Sequence, residues 1–192
     1  MVALQLFLQK GYKDVSYQDL VKKTGLSKGA IYHYFESKET LLVAVFEFLM
    51  EATQQPAVDK PENIVKDRES FIKLFIDSKM VQINGFKKIM DTKELKLNKL
   101  LFFIEAINEN EQLKQTITEL TKQEITFLEN CFIMLKKHNN LPAGKDPALL
   151  AECLFWMLQG AEMMVFFMQN NDWEQGIMKM YDKTINDFFK II

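Results

Sequence analysis

The nine residues Ser27-Lys28-Gly29-Ala30-Ile31-Tyr32-His33-Tyr34-Phe35 constrain this chain more than any other stretch. They follow a short amphipathic segment across a tight turn. Ser27 is a natural N-cap for a helix starting at Lys28, because its hydroxyl can accept a hydrogen bond from a free first-turn amide. Lys28 brings charge to that end, while Gly29 and Ala30 keep the helix face small enough to approach a groove closely. Ile31 and Phe35 are four residues apart and point together into a core. Tyr32, His33 and Tyr34 offer hydroxyl and imidazole groups nearby, and Ser37 caps the next helix. Polar groups of this kind, on so small a helix, suit a DNA backbone.

The residues upstream complete the unit. Ser16-Tyr17-Gln18-Asp19 has a hydroxyl at the N-cap and an acid three positions on, the pattern of a capping box. The helix it opens carries Leu20 and Val21 inward and Lys22 and Lys23 outward. It stops at Thr24-Gly25, where glycine can take the left-handed conformation. Before it, Ala3, Leu4, Leu6, Phe7 and Leu8 make an apolar first helix ending at Gly11. Three short helices, the second and third joined by about four residues, describe a helix-turn-helix in a three-helix setting.

From Ala3 to Val45 the chain resembles the DNA-binding domain of the tetracycline-repressor (TetR) family. The Gly11-Tyr12 pair, Thr24-Gly25-Leu26-Ser27, and Tyr32-His33-Tyr34-Phe35 followed by Ser37-Lys38-Glu39 all fall at that family's spacing. The resemblance implies that Ser27, Lys28, Gly29 and Ala30 open a recognition helix facing the major groove. It implies that Tyr32 and His33 reach phosphates or base edges, and that Lys38 meets a phosphate from the start of the fourth helix. Ser16 and Tyr17 would approach the backbone where helix-end amides favour an anion. Ala30 could touch a thymine methyl, one of the few ways a small apolar side chain reads sequence. Family members carry a basic stretch ahead of the first helix, whereas this chain opens at Met1 almost inside it. Either the protein is unusually short at that end or a front segment precedes Met1; a missing basic arm would mean fewer phosphate contacts from that side.

Charge points the same way. From Met1 to Phe35 five lysines face two aspartates, a surplus of +3 that leaves −5 for the rest of a chain whose formal charge is −2. A basic head on an acidic body would orient the molecule on a polyanion. The head holds no arginine, since Arg68 is the only one in the chain. Bidentate arginine-to-guanine readout is therefore excluded, and DNA shape gains weight.

Beyond the head the apolar spacing is helical throughout, and nothing alternates as a strand does. The expected fold is all-α, with a helix-turn-helix domain over residues 1–45 and a larger helical ligand-binding and dimerisation domain over 46–192. A long helix should run from Ser37 to about Thr53, with a linker from Gln54 to Pro61. A helix from Pro61 to Lys79 is expected, then a break at Asn84-Gly85, a helix from Leu95 to Ile107, a long seam to about His138, and a loop from Asn139 to Pro147. No apolar run is expected to span a bilayer, and no secretory leader is visible, which together suggest a cytoplasmic protein and no membrane partner. Cys131 and Cys153 lie in apolar helical contexts and are expected as buried free thiols.

Two further expectations concern the body. In residues 147–170 the polar positions Glu152, Gln159, Glu162 and Gln169 share a narrow stripe, and residues 173–191 place Ile177, Tyr181, Ile185 and Phe188 on one side. Helices with so little polar surface need covering on more than one side, so a homodimer through 147–170 and 173–191 is expected. Two heads would then address a palindromic double-stranded operator. Phe71, Phe75, Phe102, Phe103, Phe132, Met134, Phe155, Trp156 and Met163 are more large, soft side chains than a spacer requires. The resemblance implies a small molecule between such helices. Its expected character is apolar or amphiphilic, with Gln159, Glu162 or Asn130 as orienting groups.

Catalysis has little support. His33 and His138 are the only histidines, far apart and without Cys or Asp at ligand spacing, so neither a metal nor another cofactor is expected. No glycine-rich phosphate loop or nucleophile elbow is present. A DNA-binding regulator, released from its operator as a repressor by an effector, is the favoured function. The competing class is a dimeric helical module that binds a small molecule or protein without touching DNA.

Overall fold

Helix ends, more than helix interiors, set this architecture. The computed structural model describes residues 1–53, 60–89, 98–167 and 173–192. Helix α1 (Val2–Lys10) stops at Gly11, whose φ of 86° favours glycine and whose amide returns to the Phe7 carbonyl at 2.9 Å. Helix α2 (Tyr17–Thr24) begins at Ser16 and ends at Gly25, φ 73°, as the sequence predicts. Helix α3 (Lys28–Tyr34) begins at Ser27. Helix α4 (Lys38–Thr53) follows Ser37, which accepts from the Thr40 amide at 3.0 Å while its own amide donates to the Thr40 hydroxyl at 3.1 Å.

The next stretch departs from expectation. A single helix from Pro61 to Lys79 does not form. A short α5 (Pro61–Ile64) is followed by α6 (Arg68–Ile89). The cause is local: Asp67 accepts from the Ser70 amide at 2.8 Å and Ser70 Oγ accepts from the Asp67 amide at 3.0 Å, a reciprocal cap that restarts the helix. Asn84-Gly85 is no break either, since α6 runs through both. An Asn-Gly pair disfavours a helix by only about 1–2 kcal/mol, and burial of Phe71, Leu74, Phe75 and Ile83 along the same helix outweighs that. Leu95 lies outside the described residues. Helix α7 (Asn98–Glu109) leads through the Asn110 cap into α8 (Glu111–Lys137), and α9 (Pro147–Phe167) and α10 (Trp173–Ile191) close the chain. Among the described residues every element is a helix.

Two compact units result. One comprises Met1–Gln54 with Asn84–Thr118, the other Gln55–Ile83 with Glu119–Ile192. The packing unit that holds the helix-turn-helix therefore extends past Val45 and borrows a distant segment. Its core joins Leu4, Phe7, Leu20, Ile31, Leu42 and Phe46 to Phe102, Ala106 and Leu113. The second core is built on Phe71, Phe75, Phe132, Leu135, Leu154, Ile185 and Phe188.

Helix α9 overturns a further expectation. With a mean hydropathy of 1.3 over Pro147–Val165 it is long and apolar enough to cross a membrane by length and composition. Yet one face (Leu150, Ala151, Leu154, Phe155, Leu158) is buried in the second core, and α10 packs alongside. Its other face exposes Leu149, Trp156, Met163 and Met164. Cys153 shares that face and is exposed, contrary to expectation, whereas Cys131 is buried and its thiol is pushed up to about 12 by burial. The apolar side of α10 needs no second chain, because Ile177, Tyr181, Ile185 and Phe188 are all buried by their own unit. Gln175, Lys179, Asp182 and Lys183 face outward instead.

Gly25 tests the importance of the helix ends. A Cβ there would meet nothing within 4 Å, so the cost of substitution is purely one of backbone conformation. Gly25→Ala should lower stability to urea by about 1–2 kcal/mol, and Gly25→Asn, which tolerates the left-handed region, by clearly less.

Candidate nucleic-acid interface

The turn between α2 and α3 is built by side chains bonding to neighbouring backbone. Ser16 Oγ accepts from the Asp19 amide at 3.2 Å and Asp19 accepts in return from the Ser16 amide at 2.9 Å. Lys10 pairs with Asp19; that contact and the Ser16 bonds hold its carboxyl well below the usual range. At the other end of α2, Thr24 Oγ1 donates to the Leu20 carbonyl at 2.6 Å and accepts from the Leu26 amide at 3.2 Å. Ser27 Oγ then accepts from the Ala30 amide at 3.1 Å. Buried Ile31 anchors α3 from below.

This anchoring fixes what α3 shows to solvent. Ser27, Lys28, Gly29, Tyr32 and His33 are exposed, as is Ser16, while Ala30 and Tyr17 are half-buried. A Cβ on Gly29 would meet only Ser27 Oγ at 3.9 Å, so the fold itself does not require glycine there. Tyr17 stacks on Tyr32 with centroids 4.4 Å apart and planes 20° from parallel, and Lys28 Nζ lies 5.6 Å from the Tyr32 centroid. The α2 start thus braces the exposed ring of α3. The Tyr17 hydroxyl is buried without a hydrogen-bond partner, and burial, then the adjoining Tyr32, raises its pKa.

Lys38 is placed differently from the rest. Its ammonium donates to the Lys13 carbonyl at 3.0 Å and sits 4.6 Å from the Tyr12 ring centroid. Desolvation lowers its pKa against the opposing pull of Glu105, Asp14 and Glu109. Its charge is committed within the head. Lys10 is paired with Asp19, and Lys13 with Glu109 at 2.9 Å. Among the described residues Lys22, Lys23 and Lys28 enter no ion pair and are exposed. Lys22 and Lys23 are thus candidate phosphate partners beyond those expected; their signal was the outward face of a lysine pair beside the turn.

A segment far along the chain completes the head. Glu105 Oε2 of α7 accepts from the Tyr12 amide at 2.6 Å, in the connection between α1 and α2. Gly11 permits the approach, since a Cβ there would lie 3.3 Å from Glu105 Oε1. Asn110 donates to Glu39 at 2.7 Å and so ties the α7–α8 junction to the start of α4.

Residues 2–45 match the family model for bacterial regulatory proteins of the tetR family. That match covers the head and stops short of the body. Over 51 residues, 27% of this chain, it is 47% identical to the HTH-type transcriptional regulator YuxN of Bacillus subtilis (strain 168). Over 156 residues it is 21% identical to a fatty acid metabolism regulator protein of the same organism, covering 80% of this chain and 74% of that one. The chain spans only 18% of the length of YuxN and 43% of that of YerO, a further HTH-type regulator from B. subtilis. The fold is shared with a TetR transcription regulator from Haloarcula marismortui ATCC 43049, TM-score 0.68 at 16% identity, covering 96% of this chain and 95% of that one. It is shared also with a TetR-family regulator from Mesorhizobium loti MAFF303099, TM-score 0.64 at 20% identity, covering 99% and 92%.

The residues expected around an effector are scattered. Phe71, Phe75, Phe132, Met134 and Phe155 lie together in the second core, and Gln159 is half-buried. Phe102 belongs to the other unit, stacked 6.2 Å from Phe7 and 6.4 Å from Phe46. Trp156 and Met163 are exposed on the outer face of α9, and the Phe103 side chain lies outside the described residues. Asn130 lines an open depression of about 420 Å³ along α8, with Glu119, Lys122, Gln123, Thr126 and Phe127. Among the described residues no three His, Cys, Asp or Glu gather as a metal site would require.

Glu105 makes the distant contribution testable. Glu105→Ala should destabilise the protein to urea by about 1.5–3 kcal/mol, the worth of a hydrogen bond to a charged group. Glu105→Gln, which keeps an acceptor oxygen, should cost less than half of that.

Proposed function

We propose that this protein regulates transcription as a homodimeric repressor that binds a palindromic operator and leaves it when a small apolar or amphiphilic effector enters the body. The observation that carries this is the outward display on α3 of Ser27, Lys28, Gly29, Tyr32 and His33 while Ile31 and the caps hold the helix from behind. The family match over the head supports DNA as the target. Phosphate contacts fall to Lys28, Lys22 and Lys23, with Ser16 and Ser27 near helix ends where amides favour an anion. Tyr32 and His33 reach the groove, and Ala30 meets an apolar base edge. Tyr17 acts by holding Tyr32. Lys38, already committed, joins a phosphate only if it releases the Lys13 carbonyl.

Dimerisation follows from α9. Leu149, Cys153, Trp156, Gly160 and Met163 recur at intervals of three and four and form one exposed, mostly apolar stripe. A second copy covers it, with α10 alongside. The dimer then sets two recognition helices about one helical turn, roughly 34 Å, apart on the duplex. The effector shifts that spacing by preferring one state of the body, a coupling typically worth about 1–3 kcal/mol. The name of the fatty acid metabolism regulator supports an amphiphilic effector. A cytoplasmic location goes with this reading.

The alternative, a dimeric helical binding module without DNA activity, is separated by gel shift on the DNA flanking the coding region. Tyr32→Ala should weaken operator binding by about 1–3 kcal/mol. Lys28→Ala should lower the slope of log affinity against log salt by roughly 0.9 for each phosphate that Lys28 neutralises. Wild-type protein that binds this DNA no better than random duplex favours the alternative.

The dimer has its own test. Trp156 is 61% exposed, so Trp156→Glu leaves the fold of one chain intact while placing a charge in the seam. Light scattering should report a monomer, with operator binding abolished alongside. A Trp156→Glu protein that remains dimeric excludes α9 as the seam.

A further inference from the structure

Among the described residues the second unit buries one charged side chain where apolar packing would be expected. Lys79 of α6 is only 7% exposed. Its ammonium pairs with Glu124 of α8 and lies 5.5 Å from the Phe75 ring centroid and 6.0 Å from that of Tyr181. Tyr181 of α10, itself buried, donates its hydroxyl to Glu162 Oε2 of α9 at 2.9 Å. Helices α6, α8, α9 and α10 each contribute one polar group. As a device for stability this is poor, because a buried ion pair seldom outperforms apolar residues of the same volume.

The two partners are held unequally. The Lys79 side chain is 8% exposed and lies between two rings, whereas the Glu124 side chain is 28% exposed. Glu124 can turn to solvent at small cost; Lys79 cannot follow it. The ammonium is the fixed member of the pair and the carboxylate the exchangeable one.

We propose that Lys79 anchors the acidic head group of an amphiphilic effector, whose carboxylate takes the place of Glu124. This rests on the effector reading above and adds the head-group chemistry. The exchange is balanced in charge, since one carboxylate leaves the ammonium as another arrives. A cationic amphiphile would compete for Glu124 and strand Lys79 unpaired in the core, which is strongly unfavourable. A neutral alcohol would gain nothing at the ammonium. The apolar tail is received by the same core, where Phe75 and Met134 are joined by the partly buried Met178 and Met180. Methionines fill irregular space and repack around a guest.

The test is calorimetry on the full chain with dodecanoate, dodecanol and dodecyltrimethylammonium, each followed by the operator gel shift. Wild-type protein should bind dodecanoate at least about tenfold more tightly than dodecanol, a difference of about 1.4 kcal/mol. Lys79→Gln should abolish that preference and leave dodecanol binding unchanged. Glu124→Gln, which removes the competing carboxylate, should tighten dodecanoate binding. Equal affinity for acid and alcohol in the wild type, or a preference that survives Lys79→Gln, overturns the proposal but leaves the effector reading standing if either ligand releases DNA. If none of the three binds or releases DNA, both fall. Should Lys79→Gln fail to fold, Glu124→Gln decides alone, and no gain for dodecanoate there counts against the anchor.

Discussion

The amide of Tyr12 sits in a six-residue connection between two helices, in a residue only 7% exposed, and a buried backbone donor must find an acceptor. It finds Glu105, 93 positions later. The bond is charge-assisted and therefore among the stronger kinds, and it does not act alone. Phe102, Glu105, Ala106 and Glu109 recur along α7 at the spacing of one helix face. Phe102 and Ala106 enter the core beside Phe7 and Phe46, while Glu105 and Glu109 reach the Tyr12 amide and Lys13. A three-helix head of some forty-five residues buries too small a fraction of its surface to be robust by itself. The α7 face supplies the missing wall and, in the same few residues, fixes the backbone that orients α2 and α3.

What could be read from the chain divides along that line. Ser16 with Asp19, Gly11, Gly25, Ser27 and Ser37 are local signals whose partners lie within a turn, and each marks a helix end where expected. The cap formed by Asp67 and Ser70 was equally local, but the apolar periodicity on both sides hid it. Asn84-Gly85 misled in the opposite sense, because propensity is a weak prior once a helix has a face to bury. Glu105 and Phe102 gave no local signal at all. An acid and a ring in a helical stretch carry no mark of the loop they will meet across 93 residues of chain. The same holds for Lys38: a lysine at a helix start suggests a phosphate partner, and only packing reveals that the Lys13 carbonyl and the Tyr12 ring already hold it.

Helices α9 and α10 separate two meanings of apolar composition. In α10 the apolar residues share one side and their own unit buries them, leaving a polar and charged outer face. In α9 they surround nearly the whole helix, so one chain can cover only half. Composition alone makes α9 resemble a membrane span. Its buried half, in contact with Phe and Leu side chains of the second core, assigns that half to protein packing.

The lysines of the head show how a chain without head arginines can still present charge to a polyanion. Lys10 and Lys13 are neutralised by carboxylates and Lys38 is held by a carbonyl and a ring, so these three serve the fold. Lys22 and Lys23 lie in the last turn of α2, where the helix dipole favours a cation. Lys28 does not share that advantage. It opens α3, where the dipole opposes a positive charge by about 0.3–1 kcal/mol. What offsets this is the Tyr32 ring four residues on, which receives the ammonium 5.6 Å from its centroid and is itself braced by Tyr17. An aromatic face, unlike a carboxylate, steadies a cation without cancelling its charge. Lys28 is therefore steadied at the exposed start of α3 without being paired to a carboxylate.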